Sequence, residues 1–132
     1  MNYKKIKTWE DACKVHKVNP KKLPNVKGLP EKFQNWLIAT YKMGVIVEAI
    51  NTDENGKIWT PDWSNTDQIK YQAFFGIKAT KRKPSGVGFS YAYYVGWYTA
   101  TVVGSRLCFE TEEKTEHAQK YFKNIFKEIM LM

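Results

Sequence analysis

The stretch from Ile69 to Phe109 constrains this chain most: it carries ten aromatic rings, six basic residues and no acidic residue. Its side chains recur with the period of two that marks a β-strand. Ile69, Tyr71, Ala73 and Phe75 alternate with Lys70, Gln72 and Phe74, which predicts a strand over Ile69 to Ile77. Phe89, Tyr91, Tyr93, Val95 and Trp97 alternate with Ser90, Ala92, Tyr94, Gly96 and Tyr98, which predicts a second strand. Ser105 to Phe109 reads as a third, reached through Thr99 to Gly104. Short links make antiparallel pairing the simplest topology. Gly76 to Gly88 is then a loop rich in basic residues, with Lys78, Lys81, Arg82 and Lys83 followed by Pro84, Ser85, Gly86 and Gly88.

Helical patterns flank this sheet. Residues 1–7 form a basic lead-in, with a short edge strand expected around Tyr3 to Ile6. Thr8 is a good N-cap and Asp11 stands where a capping box needs its acceptor, although Asp is short for that role. The first helix is expected from Trp9 to about Lys17, with Trp9, Ala12, Cys13 and His16 on one face. Pro20, Pro24, Gly28 and Pro30 mark a connection, and Pro30 suits the first turn of the next helix. That helix, Glu31 to about Asn51, is the longest expected. Phe33, Trp36, Leu37, Thr40, Tyr41, Gly44, Val47 and Ile50 form its apolar stripe, with Ile38, Met43, Val45 and Ile46 on its sides. Gly44 costs about 1 kcal/mol relative to Ala in a helix, so a close crossing by another element is expected there.

Asp53 to Gly56 is a turn. Trp59 to Asp67 reads as a structured connection anchored by Trp59 and Trp63, with Asp62 and Asp67 as candidate caps. From Thr111 or Thr115 onward, Ala118, Tyr121, Phe122, Ile125, Phe126, Ile129 and Met130 keep helical steps without a break. Glu110, Glu112, Glu113 and Glu116 open this helix and Lys120, Lys123 and Lys127 follow, an order that suits the helix dipole. The expected fold is α+β in one domain over residues 1–132. About three antiparallel strands pack against the long central helix and the C-terminal helix.

A chain of 132 residues with 43% hydrophobic content can bury a core of its own. No apolar run reaches membrane-spanning length, and no h-region follows Met1 to Lys7, so neither a membrane segment nor a signal peptide is expected. Cys13 and Cys108 are expected to be reduced, buried and without metal. Their separations from His16 and His117 match no metal-ligand spacing. The sequence lacks GxxxxGK[ST], a GxGxxG leading into a helix, HExxH and GxSxG, so neither an enzyme nor a cofactor is expected.

The net charge of +8 is unevenly placed. Residues 1–30 and residues 69–109 each carry a net +6, whereas the two remaining segments are slightly acidic. Concentrated positive charge favours a polyanionic partner. A sheet with exposed rings beside a basic loop suits single-stranded nucleic acid, because bases stack on rings while Lys and Arg neutralise phosphates. Tyr94 and Tyr98 are the first candidates for stacking, with Phe74, Tyr91 and Tyr93 behind them. Lys70, Lys78, Lys81, Arg82, Lys83 and Arg106 are the candidates for phosphate. A second reading explains the same rings as a subunit interface of a self-assembling or structural protein.

Several short segments taken together carry a resemblance: Thr8-Trp9-Glu10-Asp11-Ala12-Cys13, Trp63, Lys70-Tyr71, Gly88-Phe89-Ser90-Tyr91 and Gly104-Ser105-Arg106-Leu107-Cys108-Phe109. In these the chain resembles a group of small uncharacterised proteins encoded by gut bacteria of the Bacteroides kind and by their phages. The resemblance implies no catalytic activity. It implies a phage or prophage product working in the host cytoplasm or in a virion, with another phage protein or a second copy as partner.

Overall fold

Asn2 sets the first departure from the expected pattern. Its side-chain oxygen accepts the Lys4 N–H at 3.0 Å, which winds Tyr3–Lys5 into a single 3-10 turn in place of an edge strand. Ile6, directly after the turn, is buried. The structure is a computed structural model that describes residues 2–98 and 107–131, with the backbone alone for 93–98.

Helix α1 spans Trp9–His16. Thr8 Oγ1 accepts the Asp11 N–H at 3.2 Å, and Asp11 Oδ2 accepts the Thr8 and Lys7 N–H groups at 3.1 and 3.0 Å. The capping box therefore closes with an aspartate, whose short side chain also reaches one residue further back. Lys17, in the left-handed region at φ 56°, ends the helix three residues before Pro20. Ala12 and Cys13 are buried on the inner face.

Helix α2 spans Glu31–Ile50, with Pro30 as its N-cap. Its buried face is Ala39, Met43, Ile46, Val47, Ala49 and Ile50. Val47 and Ile50 of the expected stripe, and Met43 and Ile46 from its sides, are buried, whereas the first part of the stripe is not. Phe33 and Leu37 remain exposed, and among the described residues nothing approaches the space a Cβ would take at Gly44. Ala39 and Ala49, left out of the expected stripe, are also buried. Asn51 follows the helix and is buried. Its Nδ2 donates to the Cys108 carbonyl at 2.9 Å, and its Oδ1 accepts the Glu110 N–H at 3.1 Å.

Strands β1, Ile69–Lys78, and β2, Gly88–Tyr98, form an antiparallel hairpin running from Ile69 paired with Tyr98 to Lys78 paired with Gly88. In place of a third strand, the described residues show one bridge, between Tyr71 and Phe109. The Phe109 N–H donates to the Tyr71 carbonyl at 2.7 Å, and the Tyr71 N–H donates back at 3.1 Å. The remainder of the expected connection and third strand, residues 99–106, lies outside the described residues.

The C-terminal helix is two helices, α3 over Glu112–Tyr121 and α4 over Lys123–Leu131. Phe122 breaks the run at φ −121°, and it is buried. The break redirects the chain. Helix α3 packs on both strands, with Gln119 Nε2 donating to the Phe74 carbonyl at 3.1 Å, whereas α4 packs mainly on α2. One cluster of buried residues joins these parts, from Ile6 and Ala12 through Met43, Ile46 and Ile50 to Phe75, Phe109, Phe122 and Phe126. The fold is α+β. The hairpin's main helical neighbours are α3 and α4, and α2 packs on α1, α4 and α3.

Candidate nucleic-acid interface

The hairpin is anchored at its inner face by a ring stack. Phe75 and Phe89 lie 4.1 Å apart at an interplanar angle of 16°, and Phe126 of α4 adds a third ring at 5.2 Å from Phe75. Phe75 pairs with Ala92, while Gly76 pairs with Tyr91 and Ile77 with Phe89. Ser90 is therefore an extra residue in β2, a β-bulge. The bulge reverses the alternation of the strand. Phe89 faces the core, and Tyr91, two residues on, lies across Gly76 with 62% of its surface exposed. A side chain at position 76 would strike the Tyr91 ring, so glycine is required for the ring to lie there.

The loop beyond the bulge is ordered by its own hydrogen bonds. The Thr80 N–H donates to the Lys83 carbonyl at 3.2 Å, and the Lys83 N–H donates to Thr80 Oγ1 at 3.0 Å. Lys81 and Arg82 occupy the centre of this turn, and Lys78, Lys81, Arg82 and Lys83 are all exposed. The Gly86 N–H closes a second turn onto the Lys83 carbonyl at 3.0 Å, and the Val87 N–H returns to the Lys78 carbonyl at 2.8 Å. Gly86 has φ +113°, and a Cβ there would meet Ile77 and come within 3.1 Å of Leu131 Cδ2 at the end of α4. The loop thus lies close to the C-terminal end of α4.

Four of the expected phosphate contacts, Lys78 at the end of β1 and Lys81, Arg82 and Lys83 on the loop after it, are exposed at this end of the hairpin. Lys70 is corrected. Its side chain is fully buried, with Nζ donating to the Asn65 carbonyl at 2.9 Å and lying 5.3 Å from the centre of the Trp63 ring. A buried lysine held this way anchors the 59–67 connection to β1 and presents no charge to a ligand. Asp62 stabilises the same connection. The Ser64 hydroxyl and N–H both donate to its Oδ1, and those bonds hold its carboxyl below the usual range, with Lys70 adding to the effect. Asp67 does not cap; its own N–H donates to Asn65 Oδ1.

Tyr94 and Tyr98 pair in register with Ala73 and Ile69, and their side chains, like that of Tyr93, lie outside the described residues. Arg106 lies outside them altogether. Phe74 is half-buried. Among the described residues of the hairpin, Tyr91 is an exposed ring, paired with Gly76 two residues before Lys78. Its one advance signal was Gly76, a strand glycine of the kind that often accepts a ring from its cross-strand partner.

Elsewhere the reactive residue types have structural surroundings. His117 lies with Nε2 2.7 Å from the Ile6 carbonyl, between the rings of Tyr3 and Tyr121. His16 Nε2 is 3.6 Å from the Glu48 carboxylate. Cys13 and Cys108 are buried and unbridged, and burial raises the Cys13 thiol above its usual pKa. Among the described residues no group of three His, Cys, Asp or Glu side chains is arranged to hold a metal, and no helix is long and apolar enough to cross a membrane. Comparison with protein-family models, with curated proteins and with solved structures gave no match.

Proposed function

We propose that this chain is a non-enzymatic binder of single-stranded nucleic acid, working through the tip of its β-hairpin. One observation carries the reading: an exposed ring, Tyr91, is held over Gly76 beside an ordered turn that displays Lys81, Arg82 and Lys83. No carboxylate occurs in the whole segment from Ile69 to Phe109 to offset that charge. The cations neutralise phosphates and release counterions, and the exposed part of the ring adds apolar surface for a base. The anchor beneath, Phe75 on Phe89 and Phe126, supplies the rigidity that such a contact needs. The resemblance read from the sequence supplies the setting we propose, a phage or prophage product in the host cytoplasm or a virion.

Titrating labelled oligonucleotides at several salt concentrations tests the reading. Replacing Lys81, Arg82 and Lys83 together by Gln should flatten the salt slope by about two units, from ~0.7 per contact on single strands. Self-assembly through the same surface is the second reading, supported by the 62% exposure of the Tyr91 ring. Four like charges on the adjoining loop oppose the approach of a second copy there. In that case Tyr91→Ala shifts sedimentation from oligomer to monomer and leaves oligonucleotides unaffected.

A further inference from the structure

Resting on that reading, we infer that the interface continues from the hairpin loop into the groove between α2 and α4, where Lys32, Asn35, Asn124 and Lys127 hold a second stretch of the same strand. The groove has a volume of about 590 Å³, and five of its six lining residues are polar or charged. Leu131 joins the two places. It lines the groove, and its Cδ2 lies against Gly86 in the hairpin loop. A Cβ at Gly86 would come within 3.1 Å of Leu131 Cδ2, so the loop and the end of the groove are close neighbours.

The lining chemistry matches a phosphodiester chain. Lys32 and Lys127 contribute two ammonium groups against one carboxylate, Glu128. Asn35 and Asn124 contribute two amides that can donate to phosphate oxygens or pair with base edges. All four of the proposed contact residues are exposed. Asn is a poor helix former, so two of them on facing helices, both at this groove, are not explained by helix propensity. A strand that starts on the loop cations would enter the groove past Leu131 and occupy more nucleotides than the tip alone covers.

The test compares wild type with the Lys32→Gln/Lys127→Gln double variant on thymidylate strands of about four and about twelve nucleotides, lengths within the range of known single-strand sites. Both lysines are exposed, so the variant should fold as the wild type does, which thermal melting checks. Wild type is expected to bind the longer strand with the steeper salt slope. The variant should match wild type on the short strand and lose about 1.4 units of slope on the long one, ~0.7 for each lysine. Equal behaviour of variant and wild type on the long strand overturns the inference and leaves the tip reading standing. So does an equal loss on both strands, which marks a general field effect. Failure of wild type to bind either strand at low salt removes the tip reading and this inference with it.

Discussion

Removing Asn51 should loosen the joint that holds α2 to the hairpin. Asn51 is 3% exposed, and its amide bridges the Cys108 carbonyl and the Glu110 N–H, groups 57 and 59 residues away in sequence. Phe109, between them, makes the bridge to Tyr71. Asn51→Ala strips both partners at once. A buried polar group left without a partner costs about 1–3 kcal/mol. Cys108 is fully buried, so the loss falls mainly on the bond its carbonyl accepts from Asn51, whereas Glu110 is exposed and water can reach its N–H. The expected loss is therefore about 1–3 kcal/mol in urea or guanidinium unfolding. Asn51→Asp adds a second check. Ionised Asp keeps the acceptor for Glu110 but sets a negative oxygen against the Cys108 carbonyl. Protonated Asp restores a donor, so this variant should recover part of its stability as pH falls through the carboxylate range. A loss below about 0.5 kcal/mol for Asn51→Ala, a size typical of surface changes, would refute the reasoning.

Three further outcomes are expected. Phe122→Ala should cost about 3–5 kcal/mol as a core ring truncation, and a loss below about 1 kcal/mol in chemical denaturation would show that the break between α3 and α4 is peripheral. Burial holds the His117 pKa below 6.5, with Lys7, Lys120 and Lys4 adding to the shift and the Ile6 carbonyl opposing it. The unfolded chain therefore takes up this proton first, so stability is full above pH 6.5 and declines as pH falls from there toward the lowered folded value. His117→Asn should remove that part of the decline, and a wild-type profile that stays flat or rises below pH 6.5 would contradict it. Native mass spectrometry should show Cys13 and Cys108 without zinc and without the mass deficit of a disulfide, and thiol reagents should reach Cys13 only on unfolding.

The elements set by local chemistry were legible in the sequence, and those set by distant contacts were not. The Thr8–Asp11 box and the strand period from Ile69 need only neighbouring residues. The orientation of α2 depends on what packs against it. Large rings at Phe33 and Trp36 outweighed Ala39 and Ala49 in the periodic pattern, yet the alanines face the core. The break at Phe122 left no Gly or Pro as a marker, and the apolar steps continue across it. The bulge at Ser90 was hidden because both parities of β2 carry rings, and that bulge decides that Tyr91 faces solvent. Lys70 was read by its charge, but its long apolar stem and Trp63 make burial feasible. Lys32 and Lys127 were not linked to the loop, since only the contact of Leu131 with Gly86 makes them neighbours.

The most direct test of the central claim is the binding of labelled single strands by wild type and by Tyr91→Ala across a salt series. The account predicts wild-type affinity that falls steeply with salt. It predicts a loss of ~1–3 kcal/mol on removing the ring, with the salt slope nearly unchanged. Absence of wild-type binding at low salt, or a Tyr91→Ala protein that binds as tightly as wild type, would contradict it.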